Sequence, residues 1–299
     1  MTTDRTGQQP WSLAVASGKG GTGKTTVAVN LFHRLQRRDT LRVELVDCDV
    51  EEPNSLLFFD GLQDVHTEEA LQLIPNIRTE ACTFCRACVD YCEFNAIVVI
   101  PPAGFADINP SLCHSCGACL VACKEGAIGE HPVSIGTIRH CRTPEGSPLT
   151  EGRLNIGSAM QTLLIRQTID SASRETDVRI LDAPPGTSCP VVTTVADADY
   201  TLLVTEPTPF GLHDLRLTVE MLRELGKEFG VVVNKAGAGD RAALRLPVGG
   251  RHRSVGRTSL QQGLCRPVYN GDLLQEGVFP DRDPYESLVD ILLKKRSGS

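Results

Sequence analysis

A glycine-rich segment with two lysines, residues 18–26, carries groups suited to binding a nucleoside triphosphate. It fits the pattern G-x-x-x-x-G-K-[ST], in which glycines turn backbone N–H groups toward phosphate, the lysine reaches the β/γ oxygens and the hydroxyl holds Mg²⁺. The residues predicted to contact nucleotide are Gly18, Gly20, Gly21, Thr22, Gly23, Lys24, Thr25 and Thr26.

The segments on either side of this loop predict the secondary structure that such a loop requires. Residues 12–16 are a short apolar run typical of a buried strand, and the apolar spacing from Thr25 to Leu35 predicts a helix. A helix N-terminus would therefore face the bound anion, where its free N–H groups favour negative charge.

Carboxylates follow two other apolar runs that predict strands. Residues 42–46 lead into Asp47 and Asp49, and residues 177–181 lead into Asp182. Because phosphates and Mg²⁺ bind at the carboxyl ends of parallel strands in doubly wound folds, these side chains are candidates for the same site.

Eight of the 12 cysteines form an internal repeat, C-x2-C-x2-C-x3-C, at residues 82–92 and again at 113–123. This run resembles that of bacterial two-cluster ferredoxins, in which three cysteines hold one [4Fe–4S] cluster and the fourth ligates the other. Zinc sites use one or two C-x2-C pairs, so two four-cysteine runs favour iron–sulfur clusters. The resemblance implies the ligand sets Cys82, Cys85, Cys88 with Cys123, and Cys113, Cys116, Cys119 with Cys92. Glu93 and Lys124 stand where those ferredoxins usually have proline.

The loop at residues 18–26 resembles the deviant Walker A loop of the MinD/ParA-like ATPases, because Lys19 follows its first glycine. In that family the extra lysine crosses a nucleotide-sandwich dimer to the partner's phosphates. The resemblance implies that Lys19 acts in trans and Lys24 in cis. It also implies that Asp47 lies near Mg²⁺ and that Asp49 positions the attacking water.

Two further segments resemble the same family. Residues 182–187 read D-x-P-P-G-T, as in its switch II, so Asp182 would meet Mg²⁺ through water and Gly186 would sense the γ-phosphate. Asn234 ends an apolar run and corresponds to an asparagine that contacts the adenine ring. The implied catalytic residues are Lys19, Lys24 and Asp49, and the implied Mg²⁺ ligands are Thr25, Asp47 and Asp182.

The two resemblances together imply an α/β fold, a doubly wound and mainly parallel sheet of P-loop NTPase type with an inserted small α+β two-cluster ferredoxin domain. Residues 1–60 and 151–299 are expected to form the ATPase domain. Residues 61–150 are expected to form the insert with its linkers, and residues 132–152, rich in Gly, Pro and Thr, are the expected exit linker.

Composition is that of an ordinary soluble protein of 299 residues, 41% hydrophobic and 22% charged. The net charge of −7 argues against a nucleic-acid partner held by a general basic surface. We expect no membrane span and a cytoplasmic location, because no apolar run reaches the roughly 18 residues that a span requires. Residues 287–296 predict a short amphipathic helix that docks on its own sheet.

Three features leave alternatives open. Residues 241–271 hold six arginines and no acid, which fits either a basic loop or a local double frameshift. Cys189 is either a ligand of a cluster shared between subunits, as in the nitrogenase iron protein, or an inert thiol. Cys141 stands alone in the sequence and is expected to be a free thiol.

The function that these patterns favour is an ATP-gated electron carrier that uses ATP, Mg²⁺ and two [4Fe–4S] clusters. Its expected partners are a second copy of the chain, or a paralogue, in a nucleotide-dependent dimer, and an unknown redox protein. One alternative is an iron–sulfur cluster carrier or assembly ATPase, although the C-terminal C-x2-C pair of such relatives is absent here. The other is a MinD/ParA-like positioning ATPase.

Overall fold

The computed structural model describes residues 9–235, 256–259, 264–265, 267–268 and 284–298. Most of the arginine-rich segment 241–271 lies outside the described residues. The described strands are β1 (Trp11–Ser17), β2 (Val43–Asp47), β3 (Gln63–Ile77), β4 (Ile97–Ile100), β5 (Phe105–Ile108), β6 (Ile128–Arg142), β7 (Pro148–Leu154), β8 (Val178–Pro185), β9 (Tyr200–Thr205), β10 (Phe229–Val233), β11 (Gly256–Ser259), β12 (Leu264–Cys265) and β13 (Pro267–Val268). The described helices are α1 (Lys24–Gln36), α2 (Ala87–Asp90), α3 (Ala118–Ala122), α4 (Gln161–Ser171), α5 (Cys189–Ala196), α6 (Pro209–Glu224) and α7 (Pro284–Ser297).

One large sheet organises the chain, in the order β12-β11-β10-β9-β1-β8-β2-β7-β6-β3. The pairings from β11 across to β7 are parallel, and β6 and β3 extend the sheet in antiparallel fashion. The prediction of a mainly parallel α/β sheet is therefore confirmed. The carboxyl ends of β1, β2, β8 and β9 meet at one edge, which brings the predicted phosphate and Mg²⁺ residues together.

Both faces of the sheet are covered, which explains why its central strand is a continuous apolar run. Leu13 and Val15 of β1 point into a core shared with α1 and α7, while Ala14 and Ala16 point into a second core with α4, α5 and α6. The C-terminal helix docks on this sheet as predicted, since its Leu288 is buried in the first core. Among the described residues, no helix combines the length and apolar content needed to cross a bilayer.

The prediction of an exit linker at residues 132–152 is wrong. Strand β6 runs through residue 142 and pairs with β3 over its whole length, and β7 begins at residue 148. Ile135, Ile138 and Cys141 are buried, whereas Thr137 and His140 between them are partly exposed. The segment is a strand because it has a long partner, which its mixed composition does not reveal.

A cysteine module, residues 78–127, sits between β3 and β6. It contains α2, α3 and the separate two-stranded sheet formed by β4 and β5. Because β3 and β6 belong to the main sheet, the long hairpin joins this module directly to the strands of the phosphate-binding edge.

Candidate functional site

The glycine-rich loop lies between β1 and α1 with its predicted helix in place. Gly23 precedes α1 with φ of 90°, a conformation that L side chains rarely adopt. The Oγ1 atom of Thr22 is buried and has no hydrogen-bond partner among the residues that the structure describes. A buried hydroxyl without a partner is costly, so the loop fits an added acceptor such as a phosphate oxygen.

Lys24, the first residue of α1, is paired with a carboxylate inside the site. Its Nζ lies 2.7 Å from Oδ1 of Asp182, and the two side chains are only 7% and 0% exposed. Burial lowers the pKa of Lys24, but the carboxylates of Asp182, Asp49 and Asp47 outweigh it and hold that pKa above its ordinary value. The lysine is therefore fully charged and positioned at the base of the loop.

Asp47, the last residue of β2, is the register partner of Asp182 in β8. Burial and the neighbouring Asp182 charge raise the pKa of Asp47 to about 7, and burial raises the pKa of Asp49 to about 6. Three carboxyl groups thus surround the single buried ammonium of Lys24. Such an excess of oxygen donors and negative charge suits Mg²⁺, which prefers carboxylate and water ligands.

Ser55 connects these two aspartates, and sequence reasoning missed it. Its Oγ donates to Oδ2 of Asp182 at 3.0 Å, and its backbone N–H donates to Oδ2 of Asp47 at 2.8 Å. The backbone N–H of Asn54 also donates to Asp47. The serine opens a 3₁₀ turn, Ser55–Phe58, which four residues separate from β3. In the sequence, only the position of Ser55 at the end of the acidic loop could have indicated a role in the site.

Glu206 is a second residue that sequence reasoning missed. Its carboxylate accepts a hydrogen bond from Lys19, which lowers the pKa of Glu206, and its other oxygen lies 3.4 Å from Nζ of Lys235. Lys235 also donates to the carbonyl of Gly21 at 2.6 Å. Its position in the sequence could have marked it, because Glu206 directly follows the apolar strand β9, just as Asp47 ends the apolar strand β2. In the single chain Lys19 is held within its own subunit, so its action in trans stays a prediction.

Asn234 lies on the loop. Its Nδ2 donates to the carbonyl of Thr22 at 2.8 Å, and the side chain is buried. The adenine contact expected of this residue stays a prediction. Gly186 follows β8 with φ of 103°, and its N–H donates to the carbonyl of Ser17 at 2.9 Å. The segment expected to sense the γ-phosphate is thus bonded to the strand that enters the loop, while Cys189 is exposed at the start of α5.

The eight repeated cysteines converge on two cavities, four to each. One cavity of about 310 Å³ is lined by Cys82, Cys85, Cys88 and Cys123, together with apolar side chains that include Ile77 and Val99. The second, smaller cavity is lined by Cys92, Cys113, Cys116 and Cys119. The tertiary structure therefore groups the thiols into the two sets that the ferredoxin resemblance implies.

The backbone of the cysteine module repeats with an offset of 31 residues, like its cysteines. Left-handed φ angles recur at three equivalent pairs of positions, Phe84 and Ser115, Arg86 and Gly117, and Asn95 and Gly126. Backbone N–H groups donate to cysteine sulfurs at equivalent places, namely Phe84 to Cys82, Ser115 to Cys113, Ala96 to Cys92 and Ala127 to Cys123. Such donors stabilise negative charge on a metal-bound sulfur, so the donor chemistry of both sets suits an iron–sulfur cluster. The first cavity is open at about 310 Å³, whereas the second is narrow at about 20 Å³.

A comparison with known families decides the class of the nucleotide site. Residues 13–246 match the family described as the CobQ/CobB/MinD/ParA nucleotide binding domain. The chain belongs to this family. The CobQ/CobB/MinD/ParA match begins within β1, ahead of the glycine-rich loop, and extends past Asn234, so it contains all the nucleotide-site residues described above.

Individual proteins are also similar to this chain. An uncharacterized protein of Methanocaldococcus jannaschii is 33% identical over 226 residues, 75% of this chain and 78% of that protein. A protein of Pyrococcus furiosus named iron-sulfur cluster carrier protein is 25% identical over 228 residues, 75% of this chain and 60% of that protein. The structure of cobyrinic acid a,c-diamide synthase from Mycobacterium smegmatis with bound ADP and magnesium matches 97% of each chain, at 15% identity and a TM-score of 0.50, and agrees in fold.

Proposed function

We propose that this protein binds and hydrolyses ATP, and that nucleotide-dependent dimerisation and switch motion gate electron transfer through two [4Fe–4S] clusters. The observation that carries the proposal is the convergence of eight cysteines into two cavities of four, on a hairpin that belongs to the same sheet as the nucleotide site. A phosphate-responsive edge and two cysteine cavities are thus parts of one continuous structure.

At the nucleotide site, the loop amides and Lys24 bind the triphosphate, and Thr25, Asp47 and Asp182 hold Mg²⁺. Lys24 is bonded to Asp182, so phosphate oxygens compete with that carboxylate for the ammonium. Asp49 orients the attacking water, and its raised pKa suits a weak base near neutral pH. Electrostatic stabilisation of the transferring phosphoryl group supplies most of the catalysis.

The same contacts provide a path from the nucleotide to the cysteine module. Ser55 is bonded to both Asp182 and Asp47, and only residues 59–62 separate its 3₁₀ turn from β3. Lys24 and Ser55 are bonded to the same Asp182 carboxylate, so a triphosphate that draws Lys24 away would leave the Ser55 hydroxyl with a changed acceptor. The nucleotide would thus bind with different free energies to the 3₁₀ turn with the Ser55–Asp182 bond and to the turn without it. Such a difference is what a ligand needs to shift a population.

In the cysteine module, the two sets of four thiolates would each hold one cluster. A bound [4Fe–4S] cluster supplies one-electron transfer at a low potential. The chain contributes the N–H donors at Phe84, Ser115, Ala96 and Ala127, which stabilise charge on sulfur and so tune that potential. A small movement of β3 or β6 alters these donors, since both strands lead directly into the module.

Redox titration monitored by EPR tests the gating. Anaerobically reconstituted protein is titrated with Mg-ADP and with Mg-ATP, and the Asp49→Asn variant holds the ATP state without hydrolysis. We expect ATP to move the potential of at least one cluster by about 60 mV, a tenfold change for a one-electron couple. Equal potentials in both nucleotides, with equal rates of electron transfer to an artificial acceptor, would refute gating.

A second candidate is an iron–sulfur cluster carrier. It is favoured by the relatives named iron-sulfur cluster carrier protein in Pyrococcus furiosus and Pseudomonas fragi, which are 25% and 27% identical to this chain. In this case the cluster is cargo and passes to an acceptor. Mixing the reconstituted protein with an apo-ferredoxin separates the candidates, because clusters that remain bound with and without ATP contradict a carrier.

A further inference from the structure

Two histidines and a glutamate meet on the stem of the long hairpin, outside the lining of the two cysteine cavities. His66 of β3 lies directly opposite His140 of β6, and Glu68 is two residues further along the same face of β3. One ligand atom from each residue lies within 4.8 Å of the others. The imidazole rings stack with centroids 4.2 Å apart. These three side chains thus converge from both strands, and we call them the His66 site.

Hydrogen bonds behind His140 fix which of its nitrogens carries a proton. Oε1 of Glu44 accepts from the backbone N–H of Ser173 and also accepts the hydroxyl proton of Thr150 at 2.9 Å. The oxygen of Thr150, its own proton committed, lies 3.2 Å from Nδ1 of His140 and can only accept there. Nδ1 therefore carries the proton, and Nε2 presents a lone pair to the other side.

That lone pair faces another acceptor. Nε2 of His140 lies 3.3 Å from Oε1 of Glu68, and two acceptors at this distance repel unless a positive charge lies between or beside them. A proton on the ring is one way to supply it. A metal cation supplies the charge without protonating the ring.

We propose that His66, Glu68 and His140 bind a divalent transition-metal ion of the Zn²⁺ type. Two imidazole nitrogens and one carboxylate oxygen are a donor set that Zn²⁺ accepts, with a fourth position left to water. Ligand atoms on a tetrahedral zinc ion stand about 3.4 Å apart, from Zn–N and Zn–O bonds of about 2.1 Å. Because an ion lies near the plane of each imidazole that binds it, the exposed His66 ring must turn out of its stack on His140, and the exposed Glu68 side chain must move closer.

The chain from His140 through Thr150 to Glu44 matches what a metal-bound histidine requires on its far side. Such histidines donate their second N–H to an oxygen, which fixes the ring and raises the basicity of the ligand nitrogen. Glu44 is itself buried in the main sheet, so the ligand is anchored to a rigid element. A metal here would link β3 to β6 at the stem that carries the cysteine module.

Nitrogen-15 NMR of the full-length protein, labelled at histidine and titrated with Zn²⁺ to saturation, tests the proposal. His114 lines the second cysteine cavity, so zinc taken up by thiols there would shift its signals, and the readout is therefore taken from His66 and His140. We expect the Nε2 signal of His140 and one ring nitrogen of His66 to shift together and saturate. Assignments come from His66→Ala and His140→Ala, and His131→Ala, an exposed histidine on the same β6 strand, is the matched control.

Two conservative variants keep the test independent of folding. Glu68 is exposed, and Glu68→Gln removes one ligand. The joint shift of the His66 and His140 signals should then require at least a tenfold higher Zn²⁺ concentration. Thr150→Val removes the acceptor behind His140 and should weaken binding about 10- to 100-fold. The proposal is overturned if saturating Zn²⁺ leaves both imidazoles unshifted, or if Glu68→Gln and Thr150→Val respond like His131→Ala.

Discussion

Replacing Lys24 by methionine isolates the buried pair at the base of the loop. The substitution keeps much of the side-chain volume but removes the ammonium that lies 2.7 Å from Asp182. The carboxylate would then remain buried beside Asp47 without its partner. Removing one member of a buried pair costs about 3 to 5 kcal/mol, because the remaining charge is left uncompensated.

The structure sets an upper limit on this cost. The buried carboxylate can escape its lost partner by taking up a proton, which for an ordinary aspartate costs about 4 kcal/mol at pH 7 and about 1.5 kcal/mol at pH 5. We therefore expect Lys24→Met to lower the free energy of unfolding of the nucleotide-free protein by about 3 to 4 kcal/mol at pH 7, and by less than half of that at pH 5.

Urea unfolding at the two pH values measures these differences, with the m-value checked for constancy. Lys19→Met is the matched control in the same loop. Its side chain is 31% exposed and Glu206 retains Lys235, so it should cost at most about 1 kcal/mol. The added Asp182→Asn change should restore most of the stability lost in Lys24→Met. Equal losses for the two lysine variants, or a loss independent of pH, would refute the reasoning.

Three further changes test other parts of the site. Burial raises the pKa of Asp47 to about 7, so the folded protein binds a proton at this carboxyl more tightly than the unfolded chain does. The resulting stabilisation is complete below about pH 4 and is lost as the pH rises to about 7. The free energy of unfolding should therefore fall by up to about 4 kcal/mol across this pH range, and Asp47→Asn should remove that fall in urea denaturation. Cys92→Ser should lower reconstituted iron and acid-labile sulfide by about half, whereas Cys141→Ser should leave both unchanged in chemical assays. Gly23→Ala puts a Cβ 2.1 Å from Nδ2 of Asn234 at φ of +90°, so thermal unfolding should report a loss of about 1 to 2 kcal/mol or more, with weakened nucleotide binding.

Local patterns predicted the parts of the site whose chemistry lies within one continuous segment. The strand, glycine-rich loop and helix around Lys24 follow from apolar spacing and turn chemistry, and the structure has them within a residue or two of their predicted bounds. The strand-end carboxylates Asp47 and Asp182 were found for the same reason. The cysteine repeat carries its own spacing, which is why two sets of four could be proposed before any cavity was known.

Contacts between distant segments could not be predicted in this way. Lys19 and Glu206 are 187 residues apart, and Ser55 and Asp182 are 127 apart. Neither pair leaves a periodic signal, because each depends on which strands become neighbours in the sheet. The same holds for the facing of His66 and His140, which exists only through the register of β3 against β6.

The sequence by itself determined the nucleotide loop, the acidic strand ends and the two cysteine runs, because these depend on residue types at fixed short spacings. Only the tertiary structure decided that residues 132–142 are a strand, that Ser55 joins the two aspartates, and that two histidines share one face of a hairpin. The physical reason is that a half-exposed strand gains its stability from the strand it pairs with. A polar contact likewise gains its strength from the packing that shields it from water.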